Sequence, residues 1–228
     1  MSAVPVPVLT IDGPSGSGKG TISRAVARRA GWHLLDSGAL YRLVALAGLE
    51  HKLERDDVAG HVRVAAAMDV RFGTDPQTES VLLEGREVSH TIRSEQMGQE
   101  ASRVAAWPAV RAALLGRQRA FAEPPGLVAD GRDMGTVVFP QAELKIFLTA
   151  SAEERARRRY NQLKQKGSSA SLSALSREIA ERDARDSSRA VAPLVPAADA
   201  ERIDSTDLAI EAVIERVIEL GRRRALWA

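Results

Sequence analysis

The stretch Gly13-Pro-Ser-Gly-Ser-Gly-Lys-Gly-Thr21 follows an apolar run, Val8-Leu-Thr-Ile11, and leads into a helical pattern through Ile22, Ala25, Val26 and Arg29. A strand, a glycine-rich turn and a helix N-terminus in that order make an anion cradle. Successive backbone N–H groups point into the turn, the helix dipole adds partial positive charge, and a lysine reaches the outer oxygens of a phosphate chain. The pattern G-x-x-x-x-G-K-[ST] is satisfied from Gly13 through Lys19, with one departure. Gly20 follows the lysine, and the hydroxyl arrives one residue later, at Thr21. The flanking strand and helix separate this stretch from an ordinary glycine-rich surface turn, and it reads as a phosphate-binding loop.

Working outward from the loop, strand one covers 8–12 and helix one runs to about 30, with Gly31 as its C-cap. His33-Leu-Leu35 reads as a second strand ending in Asp36-Ser-Gly38, and a helix over 39–49 places Leu40, Val44 and Ala47 on one face. Active-site residues of open α/β sheets gather at the carboxyl ends of strands, so Ser37, Tyr41 and Arg42 are expected to face the phosphate loop. The texture changes between about 51 and 91. A short helix over 58–67 leads into Asp69-Val-Arg-Phe72 and a turn at 73–76, and two β stretches at 81–83 and 86–88 flank Glu84-Gly85. This is the pattern of a small antiparallel meander rather than another βα unit, read as an insertion that folds over the site.

Helices are expected at 94–106 and 109–122, with Pro108 opening the second. Leu127-Val-Ala129 is strand three, ending in Asp130-Gly-Arg-Asp133, and Leu144-Lys-Ile-Phe-Leu148 is strand four. Thr149 or Ser151 caps the helix that follows, 167–171 is a break, and a polar helix runs through Leu172, Leu175, Ile179 and Arg182. A short strand at 202–204 and an amphipathic helix over 207–224 close the chain. Strands alternating with helices predict a three-layer α/β domain on a five-stranded parallel sheet, carrying a small α+β insertion and a helical lid.

At 228 residues the chain fits one such domain. Lys plus Arg number 32 against 30 for Asp plus Glu, a formal net charge of +2, so the sequence pI near 9.2 reflects arginines that stay charged at high pH rather than a strong field at neutrality. An aromatic content of 4% argues against stacking platforms for nucleic acid. The absence of cysteine excludes disulfides and thiolate metal sites. No apolar run reaches 18 residues and no leader pattern opens the sequence, so a cytoplasmic protein without a membrane partner is the expectation; a monomer with no nucleic-acid partner is expected beside it.

Phosphate loops serve switches, motors, transporters and kinases. A guanine-reading switch uses an Asn-Lys-x-Asp loop, yet the sole asparagine is Asn161, in Asn161-Gln-Leu-Lys164. A protein kinase needs H-R-D-x-x-x-x-N, and Gly131-Arg-Asp133 is followed by no asparagine. By contrast, Gly18-Lys-Gly-Thr21 resembles the nucleoside monophosphate kinase variant of the loop. Asp36-Ser-Gly-Ala-Leu-Tyr-Arg42, Asp130-Gly-Arg-Asp-Met-Gly135, Glu181-Arg-Asp-Ala-Arg-Asp186 and Arg189-Ala-Val-Ala-Pro193 are together similar to the bacterial cytidylate kinase family. The similarity runs from about Val8 to the last helix, and the meander resembles that family's insertion.

The resemblance implies transfer of the γ-phosphoryl of ATP to CMP and dCMP, in one domain with a CMP-binding region at about 37–123 and a lid at about 151–190. It places ATP over Gly13, Ser15, Gly16, Ser17, Gly18, Lys19, Gly20 and Thr21, with Lys19 bridging the outer phosphates. Arg42, Arg132 and Arg189 match the acceptor-phosphate positions, and Ser37, Ser102, Arg111 and Asp133 the cytosine-facing ones. Arg182 and Asp186 match residues near the acceptor sugar and phosphate, while Arg155 and Arg159, four apart on one helix face, match lid arginines. Several arginines on different elements also suit the chemistry: at about 4 Å and an effective dielectric of 20, each pair of like unit charges repels by roughly 4 kcal/mol. The phosphates imply Mg²⁺, with Thr21 beside it or Asp130 acting through water.

Alternative readings stand beside these. The arginines at 155 and 157–159 also fit a solvated helix face, Asp130 fits a structural partner of Arg132, and Arg111 fits a surface charge. Trp32 reads as a packing residue, as do Met97, Ala101 and Val104, and the four histidines, with no ligand spacing and no partner motif, read as structural. The rival functions are a P-loop kinase for UMP, AMP or shikimate, and a nucleotide-binding module without catalysis.

Overall fold

Val8–Asp12 forms β1, and all five of its residues are buried. In the computed structural model, which describes residues 6–72, 80–165 and 171–227, β1 lies between two parallel neighbours, Leu127–Gly131 (β6) and Leu144–Thr149 (β7). His33–Asp36 (β2) flanks β6 and Glu201–Asp204 (β8) flanks β7, giving a five-stranded parallel sheet in the order β2-β6-β1-β7-β8. Burial of a strand on both faces is what a parallel sheet between helix layers requires.

The chain divides into two compact units, 1–35 with 121–228, and 36–120. In the first unit, Lys19–Ala30 (α1) and Ile210–Arg223 (α9) pack Ile22, Val26, Val213, Ile214, Val217 and Ile218 onto Leu9, Ile11, Val128, Ile146 and Leu148 of the sheet. Gly31 ends α1 at φ 66°, its N–H reaching the carbonyls of Ala27 and Arg28. The closing helix starts at Ile210, later than the expected 207. The N–H and hydroxyl of Thr206 both bond to Asp204 Oδ1, at 2.9 and 2.6 Å, and this local turn competes with helix.

Ala152–Gln165 (α7) is capped by Ser151, whose Oγ accepts the Glu154 N–H at 3.2 Å. Leu172–Ser187 (α8) packs on α7. Of the expected break at 167–171, residues 167–170 fall outside the described residues, as does the turn at 73–76, and Ser171 caps α8. A five-residue π-helical turn, Met134–Val138, follows β6 and has no counterpart in the sequence-based expectation.

Trp32 packs edge to face on Trp227 at 5.0 Å between ring centroids and lies over Gly126. A Cβ at Gly126 would come within 2.4 Å of the Trp32 ring. Gly126→Ala is therefore expected to lower the unfolding free energy by about 1–3 kcal/mol, read as a shift in the urea midpoint with little change in slope.

The second unit is built on Ser37–Glu50 (α2), which starts earlier than expected because the Asp36 carboxylate accepts the Ala39 N–H at 3.0 Å and caps it. It packs on Glu95–Val104 (α5), and Val58–Ala67 (α3) packs on Pro108–Arg119 (α6). Met97, Ala101 and Val104 are buried. Val70–Phe72 (β3), Val81–Leu83 (β4) and Arg86–Glu87 (β5) form the antiparallel meander. Its tight turn has Glu84 at φ 50° and Gly85 at φ 79°, the pair of positive values that a two-residue hairpin turn of this hand uses. A short helix, Ser89–Ile92 (α4), follows. Among the described residues no helix is long and apolar enough to cross a membrane.

Candidate active site

The phosphate loop joins β1 to α1 through backbone that only glycine accepts readily. Gly13, Gly16 and Gly18 have φ of 155°, 78° and 92°, and a Cβ at Gly13 would lie 2.1 Å from the Leu148 carbonyl oxygen. Lys19 is buried, and its Nζ donates to the Pro14 carbonyl at 3.1 Å, curling over the loop. Ser17 is buried, Ser15 is half-buried and Thr21 is exposed. Gly20 also gains an explanation: a Cβ there would meet Asp130 Oδ2 at 3.2 Å, so the glycine makes room for that carboxylate.

The loop after β6 runs beside the phosphate loop. Asp12, last in β1, accepts the N–H groups of Met134 and Gly135 at 2.9 and 2.8 Å, one on each oxygen. Burial pushes the Asp12 carboxyl up to about 7, with Asp133 and Asp130 adding to the rise and the two N–H donors opposing it. Asp130 and Asp133 are themselves buried.

Asp186, on α8, gathers the arginines. Its Oδ2 accepts from Arg132 Nε at 2.9 Å, and its Oδ1 accepts from Arg189 Nη2. The Asp186 side chain is 2% exposed. Burial alone would raise its pKa, but Arg132, Arg189 and Arg182 together outweigh that and hold it below the usual carboxylate range. Arg132 donates to Asp186 and to the Gly131 carbonyl, so Asp186 is a carboxylate that orients it.

Arg155 and Arg158 of α7 do not belong to a solvated face, whereas Arg157 is exposed. Arg155 is 5% exposed, and its guanidinium donates to the carbonyls of Ala150 and Ser15, both at 3.0 Å, and to Asp183 at 2.6 Å. Arg158 donates to the Ser17 carbonyl at 3.3 Å, to Ser205 Oγ at 3.1 Å and to the Ser205 carbonyl, while Glu154 holds its Nε at 2.8 Å. Arg159, half-buried, donates to Gln162 at 3.4 Å. Two arginines of this helix thus brace the outer side of the phosphate loop. The sequence marks Arg158 only as one of the run at 155 and 157–159, and Asp183 only within the motif at 181–186, because nothing in their spacing singles them out among neighbouring charges.

In the second unit Ser37, Tyr41, Ser102 and Arg111 are all buried. Arg42 donates to the Ile92 and Ser94 carbonyls at 2.6 and 3.0 Å, tying α2 to the segment around α4. Arg111 lies over the Tyr41 ring at 5.5 Å and donates to the Ala105 carbonyl at 3.2 Å. At 8% exposed it is no surface charge.

A glycine cradle with a buried lysine at the end of a central parallel strand, next to guanidinium groups converging on one buried carboxylate, defines a P-loop phosphotransferase. The sequence pattern described as cytidylate kinase matches residues 9–223. The chain belongs to the cytidylate kinase family, and it is an ATP-dependent phosphotransferase. A cytidylate kinase of Pseudomonas paraeruginosa is 62% identical over 215 residues, covering 93% of this chain and 94% of that relative. Another, from Pseudomonas fluorescens strain Pf0-1, is 63% identical over 214 residues, covering 93% of each.

Proposed function

We propose that the chain passes the γ-phosphoryl group of ATP to CMP and to dCMP, giving ADP with CDP or dCDP, as a step of pyrimidine nucleotide metabolism. Family membership at this level of identity supports the reaction. The observation that carries the site assignment is Asp186 holding Arg132 and Arg189 together beside the phosphate loop's neighbouring strand.

The chemistry follows from charge. The second pKa of a phosphate monoester lies near 6, so at neutral pH the acceptor is already a nucleophile and needs no general base. What opposes reaction is the approach of two anions. Lys19 and the loop amides hold the β- and γ-phosphates of ATP, and Arg132, Arg189 and Arg42 neutralise the acceptor phosphate. One of its oxygens then attacks the γ-phosphorus as the bond to the β–γ bridging oxygen breaks, and ADP leaves. Asp186 fixes two of these guanidiniums in advance, so they are not reorganised during transfer. Arg182 supports the same anion, while Arg155 and Arg159 serve as lid residues. Arg155 does so through the Ser15 carbonyl it already holds.

Mg²⁺ fits this donor set. Among the described residues no group of three or more His, Asp or Glu side chains could hold a metal, which suits an ion carried mainly by the nucleotide. Thr21, exposed at the start of α1, and Asp130, against Gly20, are the residues to hold it. When bound, it would neutralise charge on the transferred phosphoryl.

Ser37, Tyr41, Ser102, Arg111 and Asp133 are assigned to CMP recognition. Cytosine carries an exocyclic amino donor where uracil carries an acceptor, so a buried Asp133 carboxylate favours CMP. Asp133→Ala is expected to lower kcat/KM for CMP by about 10- to 100-fold while leaving that for UMP nearly unchanged. An unchanged ratio of the two removes Asp133 from base recognition. We place the enzyme in the cytoplasm as a monomer; that it acts on free nucleotides rather than on nucleic acid is in keeping with its weak net charge. Coupled ADP release across CMP, dCMP, UMP, AMP and shikimate tests the whole reading. Turnover is expected to be fastest with CMP and dCMP, and faster turnover with any other acceptor overturns it.

A further inference from the structure

Asp12 sits where the two loops of the reaction meet in sequence and space. Gly13, the first residue of the phosphate loop, follows it directly, and its carboxylate takes the N–H of Met134 on Oδ1 and of Gly135 on Oδ2. Those amides open the π-helical turn that begins immediately after Arg132 and Asp133. We infer that Asp12 is a positioning residue for phosphoryl transfer: it locks the backbone that carries Arg132 into register with the phosphate loop, aligning the acceptor's guanidinium clamp with the donor phosphates. The inference rests on the assignment of Arg132 to the acceptor phosphate.

Three observations point the same way. The chemistry of the contact demands a carboxylate. Two buried N–H donors face one side chain, and only a group with an acceptor oxygen for each can satisfy both; an amide would turn an NH₂ against one of them. The arrangement is also unfavourable unless something requires it, because a buried acid is placed near two others, Asp130 and Asp133. Finally, the turn is pressed against β1 with no slack. A Cβ on Gly135 would lie 2.9 Å from Thr10 Oγ1 and 3.2 Å from Lys145 Cδ, so the loop has one seat, and Asp12 holds it there.

A misplacement of about 1 Å between reacting groups costs on the order of 100-fold in rate. Asp12→Asn is therefore expected to lower kcat with CMP by about 10- to 100-fold, while the dissociation constant for ATP moves by less than about threefold. Amide exchange should accelerate in a peptide spanning 131–138 and stay unchanged in one spanning 13–21. A fall in ATP affinity that matches the fall in kcat, equal acceleration in both peptides, or an unchanged kcat each overturn the proposal. Should Asp12→Asn not fold, Asp12→Ser, whose hydroxyl accepts one of the two N–H groups, is measured by the same criteria. Arg132→Met run alongside separates the two levels. If it leaves transfer intact, the assignment of Arg132 fails; if it suppresses transfer while Asp12→Asn does not, the role of Asp12 fails.

Discussion

Arg132→Met is expected to lower kcat for CMP phosphorylation by on the order of 10³-fold, with the ATP dissociation constant changed by less than about threefold. Methionine keeps the unbranched stem and removes the charge, so the acceptor phosphate approaches the γ-phosphate with one guanidinium fewer. At about 4 Å and an effective dielectric of 20, a single uncompensated pair of unit charges is worth roughly 4 kcal/mol, which covers a loss of this size. Arg132 donates to Asp186 and to the Gly131 carbonyl, neither of which belongs to residues 13–21. ATP binding should accordingly survive, as measured by titration with a fluorescent ATP analogue beside single-turnover rates. Arg189→Met, which empties the other oxygen of the same carboxylate, should behave alike. Loss of ATP binding in step with kcat in either variant would mean that donor and acceptor sites have been exchanged.

Asp186→Asn is expected to cost about 3–5 kcal/mol of unfolding free energy, because it leaves one buried and one largely buried guanidinium facing an amide. The acid limb of stability should change with it. In the wild type the carboxyl is held below its ordinary value, so its contribution is complete above about pH 4 and is lost as pH falls through the lowered folded value. Guanidinium unfolding from pH 7 downward should show a shallower acid loss in Asp186→Asn than in the wild type; parallel losses would show that the pair contributes nothing measurable. Asp12 works in the opposite direction. Its carboxyl is pushed from the ordinary 3.8 up to about 7, so the folded state binds that proton more tightly, and this part of the stability declines as pH rises across that window.

Much of the sheet was legible because its punctuation is local. Glycines at 13, 16, 18 and 31 mark the turn and the end of α1, apolar runs mark β1, β6 and β7, and Glu84-Gly85 marks the hairpin. What sequence left dark depends on partners far along the chain. The π-helical turn at Met134–Val138 exists where Asp12, 122 residues earlier, binds its first two amides. Arg155 and Arg158 look like any polar helix face until Ser15, Ser17, Ser205 and Asp183 come up against them. For Arg111, on a helix, the surface-charge alternative stands beside the cytosine-facing position that the resemblance implies, and its burial on Tyr41 removes that alternative. Helix ends erred where a side chain took over a backbone group, Asp36 lengthening α2 and Asp204 delaying α9. The Asp186 cluster was half visible. The residue types stood in the sequence, but the pairing that makes one carboxylate the anchor of two arginines did not.

The central claim is direct transfer between two anions held by this guanidinium cluster. A rapid-quench single turnover with ATP labelled on its γ-phosphorus, unlabelled CMP and enzyme in excess addresses it most directly. The label should pass into the β-phosphate of CDP in one phase, with none accumulating on the protein. Label that appears first on the protein, or chiefly as inorganic phosphate while CMP is saturating, would contradict the account.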